Sequence, residues 1–291
     1  MLSYEAMSTM RPNALQNDLL RAPFATGRKL LFRVAQGVCS KRTLHGTPVR
    51  AAKRGKGESG GGRSSGPLYI TVERDGSDLW RLDPVINMLK EGALGILPTD
   101  TYPALVCDIE ARKAVERLYA AKGMEPTKQL SILVRNFSDI NTYTLGFPST
   151  GMGQDTFRLA RRALPGPYTL ILHASKAMPK QCVDFLTGKS KPRRTVGVRM
   201  PGDALCQAVL ANLDRPLLST SVHVEAEGEL EIPEGAVMMD MFAGRGLDFV
   251  VDCGTRVAEG STVIDLTERE PTLIRQGKGD PSIFVSEHAY A

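Results

Sequence analysis

Residues 97–105 read Leu-Pro-Thr-Asp-Thr-Tyr-Pro-Ala-Leu. An apolar run, Ala93, Leu94, Ile96 and Leu97, leads into them and predicts a buried strand over 93–97. A helix is predicted beyond them, over 110–121. Two threonine hydroxyls, a carboxylate and a phenol are thus gathered where a strand meets a loop. In open α/β sheets, ligands bind beyond the carboxyl ends of strands, which makes this a candidate ligand loop. The same string also reads as an ordinary strand-end turn, because Thr and Asp hydrogen-bond their own backbone.

Three later stretches have a similar character. Residues 164–170, LPGPYTL, form a turn followed by a strand. Residues 195–201, TVGVRMP, form a strand with one charge, Arg199, two places before Pro201. Residues 216–221, PLLSTS, form a strand that ends in hydroxyls. Around them, strands are predicted over 68–73, 130–135, 168–173, 195–200, 217–221, 247–252, 261–266 and 271–276. Helices are predicted over 84–90, near 155–163 and over 203–212. Asp83 is the expected N-cap of the first, with Pro84 at its first position. Alternation of strand and helix, then a strand-rich end, gives an α/β or α+β fold with a mixed sheet.

The order and spacing of PTDT (98–101), Lys122, PGPYT (165–169), VGVRMP (196–201) and PLLSTS (216–221) resemble the YrdC/YciO family, the threonylcarbamoyl-AMP synthase superfamily. The resemblance covers roughly residues 67–280. It implies a YrdC-like open, twisted mixed sheet with helices on its faces and a concave, charged cleft. It also implies a nucleotidyl transfer that joins L-threonine, bicarbonate and ATP into threonylcarbamoyl-AMP and pyrophosphate. That product supplies the threonylcarbamoyl modification of adenosine in tRNA. ATP enters as substrate, with Mg²⁺ expected on its phosphates. Carried over by motif, Lys122 and Ser221 are the catalytic candidates. Thr99, Thr101, Tyr102, Lys128, Thr169, Arg199, Ser219, His223 and Arg275 are the candidate substrate and nucleotide contacts.

The chain departs from the family pattern at two polar positions. Met124 stands where the K-x-R signature has Arg, and a thioether neutralises no phosphate. Lys128 offers a replacement charge without the bidentate fork of Arg. Ser221-Val222-His223 stands where Ser-Ala-Asn is typical. The ending Tyr102-Pro103-Ala104-Leu105 is closer to the YciO branch. Two functions are therefore carried: a threonylcarbamoyl-AMP synthase of reduced activity, or a non-catalytic nucleotide- or double-stranded-RNA-binding protein of the YciO type.

The individual residues also have plainer readings. Lys122, at a helix C-terminus, is favoured there by the helix dipole whether or not it binds anything. Arg199, in an apolar strand, faces either a cleft or a structural ion pair, since an unpaired buried Arg is costly. Lys189, Lys191, Arg193 and Arg194 read as a loop-borne basic cluster, either a solvated face or a phosphate or tRNA contact. Cys39, Cys107, Cys182, Cys206 and Cys253 show no CxxC or zinc spacing and read as reduced, mostly buried thiols. The four His show neither HExxH nor His-x-His spacing, so no metal centre is predicted.

The net charge of +5 over 291 residues is uneven. Residues 1–66 hold 12 Lys/Arg against 3 Asp/Glu, and the other 225 hold 25 against 29. The basic balance therefore belongs to the leader and is no sign of nucleic-acid binding by the folded part. An Arg-rich, acid-poor stretch over 1–52 reads as an organellar transit peptide, chloroplast by its processing site or alternatively mitochondrial. Residues 53–66 read as a flexible Gly/Ser linker. The YrdC-like domain is expected over 67–280, with a tail over 281–291. Within the linker, GESGGGRS imitates a P-loop, but no strand precedes it and no apolar helix follows. No apolar stretch is long enough to predict a membrane span.

Overall fold

The computed structural model describes residues 66–149, 155–184, 187–226, 229–254 and 259–285. They lie in one compact unit spanning 61–291. The expected transit peptide, residues 53–65 of the linker, and residues 286–291 of the tail fall outside the described residues. The strands, in chain order, are β1 (Leu68–Thr71), β2 (Gly95–Leu97), β3 (Ala104–Asp108), β4 (Ser131–Leu133), β5 (Tyr168–His173), β6 (Gln181–Asp184) and β7 (Lys189–Lys191). They continue with β8 (Thr195–Arg199), β9 (Leu217–Ser221), β10 (Val224–Ala226), β11 (Glu229–Glu231), β12 (Phe249–Asp252), β13 (Thr262–Asp265) and β14 (Thr272–Arg275). The helices are α1 (Asp83–Lys90), α2 (Arg112–Lys122), α3 (Phe137–Tyr143), α4 (Thr156–Ala163), α5 (Ala204–Ala211) and α6 (Gly235–Ala243).

Ten strands form one open mixed sheet in the order β1-β12-β2-β3-β9-β4-β8-β5-β13-β14. Successive residues of a strand point to opposite faces, and the two cores follow that parity. Leu105, Cys107, Ile132, Val198 and Leu218 pack on one face with Leu118 of α2, Ala160 of α4 and Phe242 of α6. Ala104, Val106, Leu133, Leu217 and Phe249 pack on the other with Val85 and Leu89 of α1 and Leu205 and Val209 of α5. On that second face, the apolar row stops at Leu217 and Leu133. The next residues of the same parity are Ser219 on β9 and Ser131 on β4, flanked by Gly197 on β8 and Thr169 on β5. These are small or hydroxylated, and here the face opens into a hollow lined by all four.

Helix ends are set by short polar side chains. Asn136, Asp155 and Asp203 each accept from a backbone N–H in the first turn of α3, α4 and α5. Gly123 ends α2 in the left-handed region, φ 63°, and the Met124 N–H bonds back to the Tyr119 carbonyl at 3.0 Å.

Several elements differ from the sequence expectation. Residues 104–108 form a central strand, where the sequence reading runs a loop from 98 towards a helix at 110. All five residues are buried on both faces, so no alternation marks them. Helix α2 starts at Arg112, because Asp108 Oδ1 holds the Glu110 N–H at 2.7 Å in a turn. Asp83 is the first residue of α1, and Leu82 takes the cap position because a short 3-10 turn, Leu79–Leu82, runs directly into the helix. Helices α3 and α6 and the hairpins β6–β7 and β10–β11 are additional. Lys189 and Lys191 lie on the exposed strand β7. Arg193 does not share their solvated face: its Nε and Nη1 are buried. Cys107, Cys206 and Cys253 are buried. Phe284 is buried, its ring 5.9 Å from that of Tyr168, so the start of the expected tail packs into the core.

Candidate functional site

The loop after β2 is folded by its own hydroxyls. Thr99 Oγ1 donates to the Tyr102 carbonyl at 2.7 Å and accepts the Thr101 N–H at 3.2 Å. Asp100 Oδ2 accepts the Gly202 N–H at 2.7 Å, and Lys278 Nζ donates to the Asp100 carbonyl at 2.8 Å. Arg199 comes up from the end of β8. Its Nη2 donates to Thr101 Oγ1 at 2.6 Å and to Asp100 Oδ1 at 3.3 Å. Thr99 and Asp100 therefore brace the loop from within, and Thr101 and Tyr102 are left facing the hollow.

That hollow is a cleft of about 300 Å³. Ser131, Gly197, Thr169 and Ser219 form its floor, with Ser221, Thr220 and Ser261 around them. A Cβ at Gly197 would stand 2.8 Å from Ser131 Oγ and 3.1 Å from Thr169 Cγ2. Thr169 and Ser261 hydroxyls are 2.7 Å apart. Arg275 reaches in from the edge strand β14 and donates to the Ser261 carbonyl at 3.0 Å. Among the described lining residues, Arg199 and Arg275 are the two that carry charge, and none is a carboxylate. Burial pushes the Arg199 guanidinium down, Asp100 opposes this, and the charge of Arg275 adds to it. Arg199 Nε is buried and makes no hydrogen bond among the described residues.

More cations stand at the rim. The His223 ring lies 5.1 Å from that of Tyr102. Its Nδ1 is buried and has no hydrogen-bond partner among the described residues. Burial lowers the His223 pKa, and the charges of Lys122, Arg275 and Lys128 lower it further. Lys122 is the last residue of α2 and half-buried; burial and then the charge of Lys128 hold its ammonium below the ordinary lysine range. Met124 sits beside the cleft, its Sδ 4.0 Å from Thr220 Oγ1.

The structure thus gathers Thr101, Tyr102, Thr169, Arg199, Ser219, Ser221 and Arg275 in one lining. Thr99 lies a layer beneath. His223, Lys122 and Lys128 are not in the lining; they approach it through Tyr102 and through their charge. Ser131, Gly197, Thr220 and Ser261 were missed. A glycine inside the apolar strand 195–200 was a usable signal, because strand glycines mark close approach of a ligand or backbone. Among the described residues, no group of three or more His, Cys, Asp or Glu could hold a metal ion. With no carboxylate among the described lining residues, the cleft does not fit a resident metal. No helix among the described residues is long and apolar enough to cross a membrane.

This chain belongs to the Sua5/YciO/YrdC family, whose model, described as "Telomere recombination", matches residues 87–277. YciO of Escherichia coli K12 is 28% identical over 217 residues, 75% of this chain and 98% of YciO. The threonylcarbamoyl-AMP synthase of Pyrococcus abyssi is 29% identical over 211 residues, 72% of this chain and 57% of the synthase. The crystal structure of E. coli YciO superposes with a TM-score of 0.62 at 26% identity, covering 75% of this chain and 100% of YciO. The P. abyssi Sua5 structure complexed with L-threonine gives 0.58 at 28% identity, covering 72% of this chain and 57% of Sua5.

Proposed function

We propose that the cleft joins L-threonine, bicarbonate and ATP into threonylcarbamoyl-AMP, for use in threonylcarbamoyl modification of tRNA. The observation that carries this reading is a hydroxyl-lined cleft with two arginines, three further cationic or ionisable side chains at its rim, and no carboxylate among its described lining residues. Such a lining suits an anionic ligand rather than a cation or an apolar one. Hydroxyls suit an amino acid and a carbamate, which need donors and acceptors in fixed places. The relatives named threonylcarbamoyl-AMP synthase, and the L-threonine bound in the P. abyssi Sua5 structure, support the choice of ligand.

The chemistry asks little of the protein beyond position and charge. The threonine amine condenses with bicarbonate to a carbamate, releasing water. A carbamate oxygen then forms a bond to the α-phosphorus of ATP, and the α–β phosphoanhydride bond breaks with departure of pyrophosphate. Charge spreads over the phosphoryl oxygens in such a transfer, and fixed cations stabilise it. Arg199 is committed to Thr101 and Asp100. Arg275, Lys122 and Lys128 are the side chains left to meet the phosphates. Ser221 and Thr169, which line the cleft, hold the amino acid or carbamate in this reading.

The test is pyrophosphate release by the full chain with ATP, L-threonine and bicarbonate, each omitted in turn. Release that needs all three supports the reading. Nucleotide binding without release, or release indifferent to L-threonine, would remove the transfer step from this cleft.

A further inference from the structure

A second cavity, of about 510 Å³, lies behind the sheet. Leu218 forms part of its wall, whereas Ser219, the next residue of β9, lines the cleft. Neighbouring strand residues point to opposite faces, so the two hollows sit back to back across one strand. The walls of the second cavity are apolar: Ile109, Val115, Met178 and Pro179 join Leu218. Its mouth is basic, with Arg112, Lys176 and Lys180 exposed around it. Glu110 is the one carboxylate among the described lining residues, and Arg215 Nη1 already holds it at 2.9 Å.

Arg193 closes one side of this cavity. Its Nε and Nη1 are buried and find no acceptor among the described residues. No ion pair engages it among the described residues. Burial pushes its guanidinium down, and only the Tyr119 hydroxyl works against that. The described residues give this partly buried guanidinium the Tyr119 hydroxyl but no anion; a desolvated cation without a counter-charge is costly, and a bound anion would relieve the cost. The volume lies in the range of small-molecule sites, which combine apolar walls with a few placed polar groups.

We propose that this cavity is a second ligand site, for a small organic phosphate. The phosphate lies towards Arg193, Lys176 and Lys180, and an apolar or aromatic body rests on Val115 and Met178. The walls also touch the cleft's own machinery. Tyr119 Oη donates to the Lys128 carbonyl at 2.6 Å. Gln181 Nε2 donates to the carbonyls of Pro126 at 2.9 Å and Lys128 at 3.0 Å. A ligand behind the sheet thus rests on the side chains that fix the loop carrying Met124 and Lys128 to the cleft.

Two methionines make the experiment local. Met178 lies in the second cavity and Met124 beside the cleft. The full chain, labelled with ¹³C at the methionine methyls and assigned with Met178→Leu, is titrated with AMP, adenosine and inorganic phosphate. AMP is expected to move the Met178 signal saturably, with adenosine and phosphate each at least tenfold weaker. The shift should persist in Gly197→Val, which fills the cleft. It should weaken at least tenfold in the double variant Lys176→Gln, Lys180→Gln, whose changed side chains are exposed. A Met178 signal that AMP leaves in place overturns the proposal. So does equal binding of adenosine, an unchanged affinity in the double variant, or a shift that disappears with Gly197→Val.

Discussion

Arg199 Nη2 donates to Thr101 Oγ1 at 2.6 Å, tying the end of β8 to the loop after β2 across 98 positions of chain. Asp100 Oδ1, at 3.3 Å, supplies the counter-charge. The guanidinium therefore does two things: it fixes the loop and it contributes one of the two charges among the described lining residues. Arg199→Met leaves Asp100 partly buried without its cation. Breaking a buried pair from one side costs about 3–5 kcal/mol, and the Gly202 N–H keeps part of the partnership, so about 3 kcal/mol is expected here. Arg199→Lys keeps the charge but not the planar fork and should fall between. Urea unfolding of the three proteins measures the order. A Met variant as stable as the parent would show that the loop is held elsewhere.

Met124 occupies the position that the family's signature gives to Arg, and its Sδ faces Thr220 Oγ1 at 4.0 Å. An arginine there would point a bidentate donor at the mouth of the cleft. A charge-assisted hydrogen bond contributes about 1.5–3 kcal/mol. Held partly in solvent, it should raise ATP affinity about tenfold, equivalent to about 1.4 kcal/mol. Isothermal titration with ATP and the pyrophosphate assay compare Met124→Arg with the parent. No gain in either would mean that Thr220 and His223 have rebuilt this corner around the thioether.

Legibility in the sequence followed burial. The motif-bearing loops and strand ends were readable, because Thr101, Arg199 and Ser221 are polar residues set against apolar runs. The strand at 104–108 was not, because a strand buried on both faces loses its alternation. The inward turn of Arg193 was also hidden. Next to Arg194 and near Lys191 it looks like one more solvated charge, and only the packing of α2 against the sheet puts Tyr119 beside it. Ser131 and Ser261 were missed for a different reason: one sits in a short strand and the other just before one, and each is ordinary until neighbouring strands make it part of the cleft.

His223 should report on the cleft through pH. Burial and the charges of Lys122, Arg275 and Lys128 hold its pKa below the ordinary 6.5. As pH falls, the unfolded chain therefore takes up this proton before the folded one does. The resulting contribution to stability is complete above about pH 6.5 and is lost as pH falls through the depressed value. Denaturant midpoints from pH 7.5 to 5 should fall more for the parent than for His223→Gln. An anion in the cleft offsets the same cations, so pyrophosphate should raise the His223 pKa. Titration of its ring proton signal, with and without pyrophosphate, checks this. A pKa that ignores pyrophosphate would place the anion away from this rim.

Gly197 offers the cleanest separation of cleft from fold. A Cβ there meets Ser131 Oγ at 2.8 Å and Thr169 Cγ2 at 3.1 Å, both in the cleft floor. The Ser131 hydroxyl must give way, and it lies in the lining of the cleft. Gly197→Val adds two methyl groups to the same space. The strand itself has reason to tolerate the change, since Gly in a strand interior costs about 0.5–1 kcal/mol relative to Ala. Stability should therefore move by no more than about 1 kcal/mol, well inside the range of ordinary surface and strand substitutions. Affinity for L-threonine and for ATP should fall at least tenfold together, which corresponds to about 1.4 kcal/mol or more. Thermal unfolding and calorimetric titration on the same preparation separate the two effects. Retained affinity with an unchanged fold would show that substrates sit on the rim cations and not on the hydroxyl floor, and the assignment of Thr169 and Ser221 would fall with it.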